Sequence, residues 1–127
     1  MALILDTNAL SSLADGDLVL HRAIQHEQDM ALPAVVLGEY LFGIRQSRFR
    51  VSYETWLRSR LALFIMLPVG TETAAHYADI RLELKPAGRK IPTNDLWIAA
   101  LSREYGCAVV SRDRHFAVVR GLRLISW

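Results

Sequence analysis

The sequence predicts an α/β domain in which helices cover both faces of a central parallel sheet. Hydrophobic residues make up 52% of the 127 residues and charged residues 22%, which suits one apolar core and is unlike a disordered chain. Short aliphatic runs alternate with stretches of helical periodicity, a pattern typical of parallel sheets buried between helices. The length indicates a single domain over residues 1–127.

Four short, mostly aliphatic segments predict the strands. They are residues 2–5, 30–32, 108–110 and 122–125. Residues 2–5 are apolar without alternation and end at Asp6, as expected of a strand buried on both faces. Residues 108–110 are the clearest later strand, and the polar residues 111–113 follow them.

Five segments with apolar residues at helical spacing predict the helices. They are residues 9–27 with a break near 15–17, then 33–46, 51–65, 71–84 and 95–105. The Asp15-Gly16-Asp17 break can end one helix and cap the next. Pro33 suits a first helical turn.

Polar residues, glycine and proline set the limits of the last two helices. Thr71 or Thr73 is expected to cap the first of them, and Thr93-Asn94 the second. Gly106 is expected to end the second helix. Residues 86–92 begin and end with proline and are predicted to form a loop between the two.

Two acidic residues follow predicted strands. Asp6 comes directly after the first strand, and Asp113 stands three residues beyond Val110. Open parallel sheets form their ligand crevice at the carboxyl ends of strands, where the strand order reverses. The two carboxylates are therefore expected to face each other. Each could equally be a helix or turn cap.

Two further acidic residues lie on predicted helices. Glu39 falls within an apolar stripe between Val36 and Phe42, so it is expected to need a cation, an Arg partner or a location at the rim of the core. Asp95 opens a helix whose residues 96–101 are apolar on nearly all sides, which indicates a buried helix end. The helix dipole alone also explains an acid in a first turn.

Four carboxylates in one site repel one another unless a cation lies between them. Mg²⁺ or Mn²⁺ suits such a site, because these ions prefer carboxylate and water oxygens and leave positions for phosphate oxygens. A zinc site is disfavoured, because the chain has one cysteine and its histidines show no paired ligand spacing. These histidines, His21, His26, His76 and His115, are each expected to be packed or surface residues.

The charge pattern favours a polyanionic partner. The formal net charge is only +2, but 13 of the 15 cations are Arg, which suits bidentate contacts with phosphate. With four acids gathered in one site, 9 acidic residues face 15 basic ones elsewhere, a balance of +6. Arg–Glu pairs on a solvated surface would explain the same composition. Candidates to contact such a polyanion are Arg45, Arg48, Arg50, Arg89, Lys90, Arg112 and Arg114.

The chain is expected to act in the cytoplasm and away from membranes. Its longest uncharged stretch has 11 residues, whereas about 20 are needed to cross a bilayer. No basic leader precedes the first apolar run. The single cysteine, Cys107, cannot form an internal disulfide, which fits a reducing compartment.

Taken together, these motifs resemble PIN-domain ribonucleases, in particular VapC toxins. The matching blocks are Leu-Ile-Leu-Asp6-Thr7-Asn8, Glu39 on a helix, Ile91-Pro92-Thr-Asn94-Asp95-Leu-Trp-Ile-Ala-Ala and Val-Val-Ser111-Arg-Asp113-Arg-His-Phe116. The blocks occur in family order and cover essentially the whole chain. The resemblance implies a three-layer α/β/α sandwich that acts as the toxin of a type II toxin–antitoxin pair.

The resemblance also implies site residues and partners. The implied catalytic and metal-binding residues are Asp6, Glu39, Asp95 and Asp113, supported by Thr7, Asn94 and Ser111. They would bind Mg²⁺ or Mn²⁺ and cleave single-stranded or loop RNA, leaving 5′-phosphate and 3′-hydroxyl ends. Family members commonly form homodimers, and a VapB-like antitoxin neutralises them and can place an Arg among the acids.

Two other functions compete with a nuclease. Asp6 could be the nucleophile of a phosphatase of the haloacid-dehalogenase type, although Asn8 occupies the position where that motif has a second Asp. The chain could also be an RNA- or protein-binding module whose acids no longer catalyse. The presence of all four acids disfavours the second alternative.

Overall fold

The computed structural model of the chain describes residues 2–26 and 29–127. The described residues form β1 (Leu3–Leu5), β2 (Met30–Pro33), β3 (Phe64–Leu67), β4 (Ala108–Val110) and β5 (Leu124–Ile125). The α-helices are α1 (Thr7–Ala14), α2 (Leu18–Ile24), α3 (Ala34–Arg45), α4 (Arg50–Arg60), α5 (Thr71–Leu84) and α6 (Thr93–Tyr105). Two 3₁₀ helices cover Leu61–Leu63 and Arg114–Val118. None of the described helices combines the length and apolar character needed to cross a membrane.

The strands form one parallel sheet in the order β3-β2-β1-β4-β5. Ile4 in β1 pairs with Ala31 of β2 on one side and with Val109 of β4 on the other. Every residue of β1 and β4 is buried, so helices cover both faces of the sheet. The predicted α/β fold with a central parallel sheet is confirmed.

The break predicted near residues 15–17 is also confirmed. Helix α1 ends at Ala14, and Asp17 caps α2 by accepting hydrogen bonds from the backbone N–H groups of Val19 at 2.9 Å and Leu20 at 3.2 Å. The predicted end of this segment at residue 27 lies outside the described residues. A carboxylate at this position satisfies backbone donors that the helix leaves without partners.

The prediction of a helix over residues 51–65 is wrong at its C-terminal end. Helix α4 ends at Arg60, and Phe64–Leu67 form β3 at the edge of the sheet. In β3, Phe64 and Leu67 are buried while Ile65 and Met66 are exposed, so the strand lacks the alternation that identifies a half-buried strand. Pairing with β2 overrides the helical spacing of its apolar residues.

Two helices begin two residues before their predicted starts. Helix α1 begins at Thr7, two residues early, because the Asp6 carboxylate accepts a hydrogen bond from the Ala9 N–H and so acts as its cap. Helix α6 begins at Thr93 with Pro92 at the cap position and no side-chain cap, so the predicted Thr93-Asn94 cap is wrong. Pro92 fits there because its fixed φ leads directly into the helix.

Gly106 ends α6 as predicted, in the left-handed conformation with φ of 66°. The Gly106→Ala variant is expected to lose about 1 kcal/mol of unfolding free energy, because a Cβ is strained at this φ. The same change at Gly38, inside α3 with no atom within 4 Å of an added Cβ, is expected to gain about 0.5–1 kcal/mol. Urea unfolding of both variants measures the two changes in unfolding free energy, which should have opposite signs. Equal changes would contradict the left-handed conformation of Gly106.

Candidate active site

The acidic residues meet where the strand order of the sheet reverses. Strands β1 and β4 are neighbours, yet the chain continues from β1 towards β2 on one side and from β4 towards β5 on the other. Asp6 directly follows β1, and Asp113 follows β4 by three residues. The prediction that the two residues share the crevice at this point is confirmed, because both line the same cleft.

Asp6 is the buried member of the group, with 4% of its surface exposed. One carboxylate oxygen accepts a hydrogen bond from the Ala9 N–H at 2.9 Å, and the other accepts one from the Ser111 hydroxyl. Ser111 is fully buried, and its Oγ also accepts a hydrogen bond from the Asp113 N–H at 2.8 Å. Ser111 therefore connects two of the acids, which is compatible with the supporting role that the family resemblance implies for it.

Burial raises the pKa of Asp6 from its usual 3.8 to about 6. The hydrogen bonds from Ser111 and Ala9 oppose this rise, while the charges of Asp95 and Asp113 add to it. These surroundings therefore hold the charged form of Asp6 at a cost in free energy, which a bound cation would remove.

Asp95 and Asp113 converge on the imidazole of His115. Asp95 lies in the first turn of α6, and its Oδ2 is 3.2 Å from His115 Nδ1. Asp113 caps the second 3₁₀ helix by accepting from the His115 N–H at 3.1 Å, and its Oδ1 is 2.8 Å from His115 Nδ1. Burial raises the pKa of Asp95, the hydrogen bond with His115 lowers it, and the charges of Asp113 and Glu39 raise it further.

His115 is the residue that the sequence analysis misses. His115 is a surface residue, as expected, but the expectation does not include its contacts: one ligand atom each of Asp95, Asp113 and His115 lie within 4.8 Å of one another. No ligand spacing in the sequence could reveal this group, because residue 95 approaches residues 113 and 115 only through the packing of α6.

Glu39 lies at the rim of the core and not within it. The buried face of α3 is formed by Val36, Tyr40 and Ile44, whereas Glu39 is exposed. Phe42 is 67% exposed, so the apolar stripe inferred on that side of Glu39 is wrong. Of the three situations expected for Glu39, the rim location is the one observed. Its Oε1 accepts a hydrogen bond from Thr7 Oγ1 at 3.2 Å.

All four acids line one open cleft of about 680 Å³. Its lining residues are Asp6, Thr7, Asn8, Ser11, Ser12, Glu39, Pro92, Thr93, Asn94, Asp95 and Asp113. The predicted supporting residues Thr7 and Asn94 belong to this lining, and Asn94 is exposed. The Asn8 side chain accepts a hydrogen bond from the Arg112 N–H at 3.2 Å and so joins the segments that follow β1 and β4.

The cations proposed from the sequence to hold a nucleic acid differ in their surroundings. Arg112 pairs with Asp17 at 2.9 Å and lies over the Trp127 ring, and Arg50 pairs with Glu54 at 2.8 Å. Arg48 lies over the Phe49 ring. The remaining candidates, Arg45, Arg89, Lys90 and Arg114, are exposed and form no ion pair with another described residue.

The donors of the cleft fit a hard divalent cation. Three carboxylates, those of Asp6, Asp95 and Asp113, come together from three separate segments, and the pKa values of Asp6 and Asp95 rise partly through this mutual repulsion. The cleft is open to solvent, which leaves room for water and for the oxygens of a phosphate group. The arrangement is chemically suited to metal-assisted attack of water on a phosphodiester.

Comparisons with known sequences agree with this chemistry. The PIN domain family matches residues 3–122. Ribonuclease VapC2 of Haemophilus influenzae is 29% identical over 110 residues, which cover 86% of this chain and 83% of that protein. The tRNA(fMet)-specific endonuclease VapC of Shigella flexneri is 28% identical over 99 residues, covering 77% and 75% of the two chains.

Solved structures share the fold over the whole chain. VapBC2 from Rickettsia felis, bound to a DNA fragment from its promoter, contains a chain that matches with a TM-score of 0.88 at 21% identity, covering 100% of this chain and 99% of the other. FitAcB from Neisseria gonorrhoeae contains a chain that matches with a TM-score of 0.82 at 25% identity, covering 97% and 96%.

The Asp6→Asn variant is expected to be more stable than the native chain when no metal is present. Between pH 4 and 6 the unfolded chain loses the Asp6 proton before the folded chain does, so the native protein loses stability as pH rises. Because the pKa of Asp6 rises from 3.8 to about 6, the variant is expected to gain up to about 3 kcal/mol of unfolding free energy above pH 6.

Denaturant unfolding in chelator at pH 4, 6 and 8 measures this gain. The exposed control Asp79→Asn is expected to change stability by less than about 0.5 kcal/mol at each pH. An Asp6→Asn variant less stable than the native chain at pH 8 would contradict the electrostatic account.

Proposed function

The chain belongs to the PIN-domain family, and on that premise we propose that it is a metal-dependent endoribonuclease and the toxin of a type II toxin–antitoxin pair. The observation that carries the proposal is the convergence of Asp6, Asp95 and Asp113, with Glu39 at the rim, in one cleft at the reversal of strand order. Relatives that this chain matches over most of their length are named ribonucleases or endonucleases, which supports the same activity.

The protein residues position and polarise the reacting groups. A bound divalent cation would supply a Lewis acid that activates water and neutralises charge on the phosphoryl oxygens. Asp6, Asp95 and Asp113 would hold the cation, with Asp6 fixed in place by Ser111 and the Ala9 N–H. Glu39, exposed at the rim, would ligate the cation or accept the proton of the attacking water. The expected products carry a 5′-phosphate and a 3′-hydroxyl.

A basic cavity beside the acidic cleft supports RNA as the substrate. Arg81, Lys85, Arg89 and Lys90 line a cavity of about 480 Å³, and Thr93 lines both this cavity and the cleft. Among the described residues, no carboxylate lines the cavity. A phosphate backbone lying along these four cations would lead towards the acids, so the proposed RNA contacts extend the sequence candidates by Arg81 and Lys85.

The geometry offers no support for a phosphatase with Asp6 as nucleophile. Both Asp6 oxygens already accept hydrogen bonds, one from Ala9 and one from buried Ser111. Asn8, which stands where that mechanism needs an acid, accepts a hydrogen bond from the Arg112 backbone. The second acid that this mechanism needs is therefore absent from its expected position.

The proposed partners follow from the family and from its solved complexes. The structural neighbours include VapBC and FitAB complexes, which supports a VapB-like antitoxin as a partner of this chain. We further propose that the chain forms a homodimer and acts in the cytoplasm. There a growth-inhibiting toxin would meet its RNA substrate. In this setting the toxin would act by cleaving RNA needed for translation.

Removal of a metal-binding carboxylate is expected to abolish cleavage. Asp6→Asn, Asp95→Asn and Glu39→Gln should each reduce the rate of RNA cleavage with Mg²⁺ or Mn²⁺ at least about 100-fold, and chelator should do the same for the native protein. Asp79→Asn serves as the control and is expected to keep full activity. Cleavage that persists in chelator would contradict the proposal, and RNA binding without cleavage would favour a binding module.

The basic cavity predicts a measurable salt dependence of RNA binding. The double variant Arg89→Gln, Lys90→Gln should bind single-stranded RNA more weakly and reduce the slope of log affinity against log salt concentration by about 1.4. The matched control Arg58→Gln, Arg60→Gln changes two cations of α4 that line neither the acidic cleft nor the basic cavity, and it should keep the native slope. Equal slopes for both double variants would place the RNA elsewhere.

A further inference from the structure

The His115 imidazole contacts both Asp95 and Asp113, although it is not packed in the core. Its side chain is 47% exposed, so the ring is not part of the core. The His115 backbone N–H is held by Asp113 Oδ1 at 3.1 Å, which fixes the start of the 3₁₀ helix. From there Nδ1 lies 2.8 Å from Asp113 Oδ1 and 3.2 Å from Asp95 Oδ2.

These separations match the spacing of neighbouring ligands around one ion. Ligand atoms at about 2.0–2.2 Å from a six-coordinate ion lie about 3 Å from their neighbours. The imidazole nitrogen therefore stands among the carboxylate oxygens as a third donor atom. The group of Asp95, Asp113 and His115 therefore offers two oxygens and one nitrogen, and not oxygens alone.

We propose that His115 Nδ1 is a direct metal ligand and that it makes the site prefer Mn²⁺ over Mg²⁺. The proposal rests on the metal-dependent function proposed above. Mg²⁺ binds oxygen ligands and keeps several waters, and it gains little from an imidazole. First-row transition ions accept imidazole as well as carboxylate, so one nitrogen donor discriminates between two ions that an all-oxygen site binds similarly.

The main alternative is that His115 only positions the acids. In that case its ring would form hydrogen bonds with Asp95 and Asp113 and orient both carboxylates, without touching an ion. Such a role would affect Mg²⁺ and Mn²⁺ equally, because both ions would lose the same oriented oxygens. The ratio of the two affinities therefore separates a ligand from a positioning residue.

Calorimetric titration of the native protein and the His115→Ala variant with Mn²⁺ and with Mg²⁺ measures that ratio. We expect the Mn²⁺ affinity to fall at least tenfold in the variant and the Mg²⁺ affinity to change less than threefold. His21→Ala, which removes an exposed histidine of α2, is the matched control and should leave both affinities unchanged. Equal losses for the two ions, or no binding of either ion to the native protein, would overturn the proposal.

Pulsed electron paramagnetic resonance of the Mn²⁺-loaded protein tests the bond directly. Nitrogen hyperfine coupling from a bound imidazole should be present in the native protein and in His21→Ala, and absent in His115→Ala. Absence of this coupling from the native spectrum would overturn the proposal. So would a His115→Asn variant that restores the native affinity ratio, since its amide can form hydrogen bonds but supplies no imidazole nitrogen.

RNA cleavage by the same samples distinguishes this inference from the proposed function. If His115 is not a ligand, the native protein still cleaves RNA with a divalent ion and Asp95→Asn does not. If the proposed function itself is wrong, the native protein does not cleave RNA with either ion. The first result ends only the assignment of His115, whereas the second ends both proposals.

Discussion

Repulsion between carboxylates gathered at the carboxyl ends of the central strands is the constraint on which the rest of the site depends. Asp6, Asp95 and Asp113 come from separate segments, and their proximity raises the pKa values of Asp6 and Asp95 beyond the effect of burial. Only a rigid framework can hold like charges together in this way. The parallel sheet supplies it, because the fully buried strands β1 and β4 end side by side.

The same contacts that hold the acids in place also serve the fold. Asp6 caps α1, and Asp113 caps the second 3₁₀ helix, so each carboxylate satisfies a backbone donor as well as facing the cleft. Ser111 joins the two acids through its hydroxyl. The same carboxylate can therefore cap a helix and also bind a metal ion, since it has several acceptor positions. In the metal-dependent function proposed above, the electrostatic cost would fall on the protein without its ion, as expected where function competes with stability.

Much of the fold was predictable from local patterns. The aliphatic runs of β1, β2 and β4 and the caps near Asp17 and Gly106 depend on neighbours in sequence, and the structure confirms them. Strand β3 was not predictable, because Phe64–Leu67 continues the helical apolar spacing of the preceding segment and becomes a strand only by pairing with β2. When a short apolar run is compatible with both a helix and a strand, tertiary contacts decide which of the two it forms.

By itself, the sequence determined which acids are candidates. Asp6, Asp95 and Asp113 stand beside a strand end or a helix start that can be recognised locally, whereas Glu39 was selected on an apolar stripe that the structure only partly shows. Their convergence in one cleft, the exposed position of Glu39 and the approach of His115 to Asp95 and Asp113 were decided only by the tertiary structure. The physical reason is that spacing along a chain specifies neighbours only within one helix or strand. Distances between residues far apart in sequence depend on how the elements pack, and packing sums many weak contacts that no single motif records.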